Sequence, residues 1–350
     1  MGNSSISESD FCSFLGWYLS SKSDYVFEKE PWNEKLISSI LCSSYKNLKN
    51  NYEQQIPVGE LSSYLEEFDQ KDYENTFLEP ILRIQEGLKV LDAKQYLTDA
   101  VMHGSMATLD YKPGWSDVDI SVILSARAFS SCETLSYIRV QLNHLSKNLY
   151  QIDPLQHHGF LISSDVNQVF TKQPQIPTIV LLHGKSLLHR REFYHNIEQR
   201  TEDCALSRLF QLKSLFEEAE TVGMLRHHSK NDVYLDDCLK NPETLYQLKY
   251  FLGLIMNLPC YYFEAIGQPI YKKYSFKQIE MLENVDLEIL HAASNIRENW
   301  TQNEIHPYPC NRIPDWVKNE LGSNYFSRAK RLVNELLFNV ERYKSRGLKN

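Results

Sequence analysis

Apolar residues at three- and four-residue steps open the chain. Phe11, Phe14, Leu15, Tyr18 and Leu19 share one helical face. So do Leu36, Ile37, Ile40, Leu41, Tyr45 and Leu48, and later Phe77, Leu78, Ile81, Leu82 and Leu88. Each stripe must be buried against another element. Residues 1–92 therefore read as an N-terminal helical segment, broken at connectors such as Glu30-Pro31-Trp32-Asn33 and Pro57-Val58-Gly59.

From about residue 93 to 190 the pattern changes. Tyr96–His103, Val118–Leu124, His158–Ser163 and Ile176–Leu182 read as strands, and residues 130–149 return to helical spacing through Leu135, Ile138, Leu142, Leu145 and Leu149. The order strand, strand, helix, strand, strand predicts a small mixed sheet rather than a long βαβ repeat. Residues 191–350 read as helical again. Ala205, Leu209, Leu212, Phe216 and Ala219 form one stripe, and Phe326, Ala329, Leu332, Leu336, Val340 and Tyr343 form another. Pro259 and Gly267 punctuate the middle of this region, and Asn303–Pro314, with three prolines, reads as a loop. The expected class is α+β, with the sheet domain flanked by helices on both sides in sequence.

Composition narrows the function classes. Apolar residues are 42% and charged residues 23%, which excludes a disordered or fibrous chain. Thirty-seven basic against 45 acidic side chains give a net charge of −8, so a long nucleic acid is not the expected partner. No Lys or Arg precedes the first apolar stretch, and Asp10 interrupts the approach to it, so no secretory leader is expected. The apolar run Tyr250–Phe263 falls short of the ~20 residues a bilayer requires and reads as a buried helix, so no membrane partner is expected. The seven cysteines are scattered without a Cys-x-x-Cys pair, which suits reduced thiols in a cytoplasmic protein.

The chemistry concentrates at Val101-Met102-His103-Gly104-Ser105, followed after eleven residues by Asp117-Val118-Asp119-Ile120. Gly104 has no Cβ and lets backbone approach a phosphate closely. Ser105 adds a hydroxyl and an N–H, and a helical turn beginning there would attract phosphate oxygens. Strand periodicity puts Asp117 and Asp119 on one face, with Val118 and Ile120 on the other. Two adjacent carboxylates repel unless a cation lies between them. Mg²⁺, a hard ion that takes carboxylate and phosphate oxygens together, suits the pair.

A Gly-Ser step, about ten residues and then Asp-x-Asp on a strand resembles the signature of the nucleotidyltransferase superfamily, which includes DNA polymerase beta, kanamycin nucleotidyltransferase and the oligoadenylate synthases. The resemblance is specific over residues 100–185 and only architectural beyond them. It implies that Gly104 and Ser105 hold the β- and γ-phosphates of a nucleoside triphosphate, and that Asp117 and Asp119 ligate Mg²⁺ or Mn²⁺. An acceptor hydroxyl would then attack the α-phosphate and release pyrophosphate. The acidic balance favours a small or otherwise non-polymeric acceptor. The same resemblance admits two other outcomes, a synthase of signalling oligonucleotides and a non-catalytic nucleotide- or partner-binding protein.

The family's third carboxylate, expected on the next strand, is blurred here. Asp153 is the nearest acid and the candidate third metal ligand, but Pro154 follows it. His158 sits better on the strand and is the candidate base, since a neutral imidazole can accept a proton near pH 7. His157 and His158 together read equally well as core or edge residues. Lys249 and Lys273 are candidates for the triphosphate, as point charges suited to phosphate. Lys185, after Val180–Leu182 and the His183-Gly184 turn, reads as structural with a weak claim on phosphate. His227-His228 and Asp236-Asp237 read as loop surface. The N-terminal helices could form a lid, a homodimer contact or an acceptor-recognition element.

Overall fold

A computed structural model describes residues 8–20, 34–53, 60–73, 77–152, 156, 159–170, 178–188, 192–196, 201–226, 238–240, 245–301 and 313–347. The chain divides into two compact units. The first comprises 1–111 and 116–199, the second 112–115 and 200–350.

The first unit begins with helices α1 (Glu8–Ser20) and α2 (Glu34–Glu53), strands β1 (Glu60–Tyr64) and β2 (Glu66–Glu67), a 3-10 turn at Gln70–Tyr73 and helix α3 (Glu79–Ala93). Strand β3 (Leu97–His103) leads into the short helix α4 (Gly104–Ala107). Then follow β4 (Asp119–Leu124), a 3-10 turn at Ala126–Phe129, α5 (Cys132–Ser146), α6 (Leu149–Ile152), β5 (Leu161–Ser164), α7 (Asp165–Phe170), α8 (Thr178–Leu182), β6 (Lys185–Ser186) and β7 (Glu192–Asn196). Five strands form one mixed sheet in the order β2-β6-β3-β4-β5, while β1 pairs antiparallel with β7. The class is α+β.

The two faces of the sheet have different fates. Ala100, Met102, Ile120, Val122, Leu124 and Ile162 enter one large core with α1, α2, α3 and α5. That core takes up Phe11, Leu15 and Leu19, Ile37 and Leu41, Ile81, Ile84 and Leu88, and Leu135, Ile138 and Leu142. Full burial of a side chain of this size is worth ~1.5–3 kcal/mol against leaving it exposed. The N-terminal segment 1–92 and the sheet segment 93–190 thus share one core, rather than standing as separate bodies. Among the described residues, the opposite face carries the smaller cluster Leu65, Val101, Ile123 and Leu181. His103, Asp119 and Ser121 lie on this face, by strand alternation from Val101 and Ile123; His103 and Ser121 are buried and Asp119 is partly exposed.

Two expectations need correction. Residues 1–92 are not wholly helical, because β1 and β2 interrupt them. Their pairing partners lie more than a hundred residues away, beyond the reach of local patterning. The apolar run Ile176–Leu182, expected as a strand, is not one over its described part. That part, Thr178–Leu182, is a helix that buries Leu181 beside Val101 and Ile123. A short apolar run buries itself in either conformation, so periodicity does not separate the two. By contrast, α5 is where helical spacing places it, capped by Ser131 Oγ accepting from Thr134 N–H at 3.1 Å.

The second unit contains α9 (Glu202–Val222), a ribbon of β8 (Met224–Arg226) and β9 (Cys238–Lys240), α10 (Leu245–Ala265), α11 (Lys272–Ile279), α12 (Glu288–Asn299), α13 (Asp315–Leu321) and α14 (Tyr325–Gly347). Its core is aromatic at the centre, with Phe251 edge-on to Phe216 and Phe326 at 6.0 and 5.5 Å. Pro259 lies inside α10 instead of ending it. Most of the proline-containing loop 303–314 is outside the described residues. Among the described residues, no helix is long and apolar enough to cross a membrane.

The junction of β5 and α7 carries a half-buried acid that joins the sheet to α2. Asp165 Oδ1 accepts from Tyr45 Oη at 2.9 Å and from Val166 N–H at 2.8 Å. The Tyr45 ring is stacked on Phe129 at 4.1 Å. Burial raises the Asp165 carboxyl above its ordinary value of 3.8, against these acceptor bonds. A raised acid costs nothing below its unfolded value and weakens the fold fully above its folded one. Asp165→Asn keeps an oxygen acceptor and removes the charge. Its melting temperature relative to wild type should therefore climb between about pH 4 and pH 7. Thermal denaturation across that range checks the trend, and a falling difference would contradict it.

Candidate functional site

The site forms where β3 stops. Six of the seven β3 residues are buried, and the strand ends at His103. Gly104 then adopts φ +70°, a left-handed conformation that only glycine takes without strain. The chain turns there into the single turn of α4. Thr108 N–H and Oγ1 both donate to the Gly104 carbonyl at 3.2 Å, and Asp110 N–H donates to the Ser105 carbonyl at 3.0 Å. Tyr73 Oη donates to the Met106 carbonyl at 3.0 Å and pins the turn from the other side. Burial raises the Tyr73 phenol well above its ordinary value, so it stays a donor.

Strand β4 runs antiparallel to β3 with Asp119 directly opposite His103. This register brings the Asp119 carboxylate over Gly104. A Cβ added at Gly104 would overlap Asp119 Oδ2 and lie 3.4 Å from its Cγ. The glycine is thus required twice, for its backbone conformation and for the room it leaves. Ser105, next in the turn, is partly exposed.

Asp117 is placed differently from the expectation in one respect. The strand begins at Asp119, so Asp117 precedes it rather than lying within it. The burial alternation nevertheless extends back. Ser116, Val118 and Ile120 are buried, while Asp117 and Asp119 are partly exposed. Gln156 holds the residue between them, accepting from Val118 N–H at 3.0 Å and donating from Nε2 to the Val118 carbonyl at 3.2 Å. Lys112–Trp115, in the link between the two halves of the motif, belong to the second unit. There Lys112 pairs with Glu298 at 2.7 Å and Trp115 packs on Trp300 at 5.0 Å.

Asp153, His157 and His158 lie outside the described residues, as do His227, His228, Asp236 and Asp237. On β5, Leu161 is level with Ser121 and Ser163 with Ile123. Neither carries a carboxylate. Among the described residues, no group of three or more His, Cys, Asp or Glu side chains could hold a metal ion. Lys185 is buried, pairs with Asp72 and lies 5.6 Å from the Tyr73 ring centre, so it ties β6 to the 3-10 turn. Lys249, buried on α10, and Lys273, exposed on α11, both belong to the second unit.

Three polar residues near the motif escape sequence reading. His103 Nε2 and Ser121 Oγ are 2.9 Å apart in a buried pair beside Asp119. Gln156 is the third. Position before a glycine marks His103 in the sequence, but nothing local marks Ser121 or Gln156. Asp117 and Asp119 are partly exposed carboxylates, the ligand type that a hard divalent cation takes.

Gly104→Ala tests the packing of the turn. A left-handed alanine costs ~1–2 kcal/mol, and its methyl must also displace the Asp119 carboxylate. Chemical denaturation should show at least that loss, and an unchanged midpoint would contradict the close packing. No family model matches this chain, and no curated protein matches it.

Proposed function

We propose that the chain is a divalent-metal-dependent nucleotidyltransferase that moves a nucleoside monophosphate from a nucleoside triphosphate to an acceptor hydroxyl. The observation that carries this reading is the Asp119 carboxylate lying over the bare backbone of Gly104. The two halves of the motif, separated by eleven residues in sequence, meet in space. The fold proposed with it is the nucleotidyltransferase domain, one face of its sheet covered by helices and the other carrying the acids.

In this reading Gly104 and Ser105 hold the β- and γ-phosphates, and Asp117 and Asp119 hold Mg²⁺ or Mn²⁺. A bound divalent cation would offset charge on the phosphate oxygens and orient the α-phosphate. The acceptor oxygen forms a bond to the α-phosphorus while the bond to the bridging oxygen breaks, and pyrophosphate leaves with the electron pair. His158 is the candidate to take the hydroxyl proton, Asp153 the candidate third ligand, and Lys249 and Lys273 the candidates to bind triphosphate. The net charge of −8 supports a small or non-polymeric acceptor. Free thiols at Cys12, Cys42, Cys132, Cys204 and Cys260 support a cytoplasmic setting.

A second reading is a nucleotide-binding protein without turnover. It is favoured by the lack of a carboxylate at Leu161 and Ser163, the β5 positions level with Ser121 and Ile123. Incubation with each labelled nucleoside triphosphate and Mg²⁺, with and without acceptor pools, separates the readings. Wild type should release pyrophosphate in a metal-dependent way, and Asp119→Asn should lose at least ~100-fold of that rate. Oligonucleotide products from triphosphate alone would identify a synthase. Binding without release would favour the second reading, and release that survives Asp119→Asn would refute the first.

A further inference from the structure

The ladder around the two aspartates is incomplete, and one side chain completes it. On one side, β3 pairs with Asp119 through His103 and then leaves the sheet at Gly104. On the other, the first ladder residue of β5, Leu161, is level with Ser121. Within the described residues, the ladder therefore stops short of Val118. Yet Val118 is fully buried, and a buried backbone N–H and C=O must each find a partner. Gln156, 5% exposed, supplies both. A carboxamide is suited to this, since it offers an acceptor oxygen and a donor nitrogen on one planar group. Leucine or methionine can offer neither. Glutamate, when ionised, can only accept.

We propose that Gln156 is a positioning residue for the metal site, its carboxamide replacing a neighbouring strand at Val118 and so fixing the spacing of Asp117 and Asp119. This rests on the nucleotidyltransferase reading, in which those two acids hold the divalent cation. The physical logic is local. Asp119 is still paired with His103, but beyond it both flanking strands have ended. Ending them leaves the backbone between the acids without partners. A side chain that bonds both sides of Val118 restores rigidity without covering the acids.

The test is Mn²⁺ binding, followed by electron paramagnetic resonance as free Mn²⁺ is depleted, on the full chain with and without a non-hydrolysable triphosphate. Gln156→Met keeps the volume and removes both bonds. It should raise the Mn²⁺ half-saturation about 10-fold or more. Gln156→Glu keeps the acceptor and loses the donor. Its added negative charge attracts cations, so weaker Mn²⁺ binding in this variant also points to geometry rather than charge. Should Gln156→Met fail to fold, Gln156→Glu decides the matter alone. Unchanged Mn²⁺ binding in a folded variant with a lowered melting temperature would overturn the proposal and leave Gln156 a structural residue only. Asp119→Asn is the control. If wild type binds Mn²⁺ in a way that does not depend on Asp119, the metal assignment itself fails and the role of Gln156 falls with it. If binding depends on both Asp119 and Gln156 but no triphosphate is turned over, the positioning role stands and the catalytic reading falls.

Discussion

The close packing of the Asp119 carboxylate on the unsubstituted Gly104 backbone is the contact on which the site depends. It follows from the antiparallel register of β3 and β4, which sets His103 opposite Asp119. Side chains directly opposite in such a pair have Cβ atoms ~4.5–5.5 Å apart, so the acid is carried to the very residue where the chain turns away. A shift of one residue would send Asp119 to the face of the large core and Ile120 to the opposite one. The apolar set Ala100, Met102, Ile120 and Val122 opposes that shift, because it would lose its burial.

The rest of the first unit can be understood as support for this register. The helices α1, α2, α3 and α5 cover one face of the sheet, while the other combines a smaller apolar cluster with His103, Asp119 and Ser121. The hydrogen bond from Tyr73 to the Met106 carbonyl and the pairing of Lys185 with Asp72 hold the outgoing turn against the β6 side of the sheet. A buried carboxylate elsewhere on the same strand has a different task. Asp99 Oδ1 accepts from Ser186 Oγ and from Ala100 N–H, both at 2.7 Å, and joins β3 to β6.

Much of this is legible in the sequence where the cause is local. The helical stripes of α1, α2, α3, α5, α9 and α14 appear as periodicity because each buries one face. The glycine step and the spaced acids appear because their chemistry needs those residue types close in sequence to a strand end. What depends on distant partners is not legible. Glu60–Tyr64 has little apolar character and becomes a strand only through β7. The run at 178–182 carries β-branched residues and is nonetheless helical, since burial of Leu181 satisfies it. Gln156 has no signature at all, because its task is set by where two other strands end. The expected base and third acid, His158 and Asp153, lie outside the described residues.

The most direct test of the account is where a divalent cation binds. A crystal of the protein grown with Mn²⁺ and a non-hydrolysable nucleoside triphosphate, measured at a wavelength where manganese scatters anomalously, would locate the ion. The account predicts an anomalous peak within coordination distance of both Asp117 and Asp119, with the phosphate chain over Gly104 and Ser105. A peak elsewhere, with those two carboxylates bound only to water or protein, would contradict it.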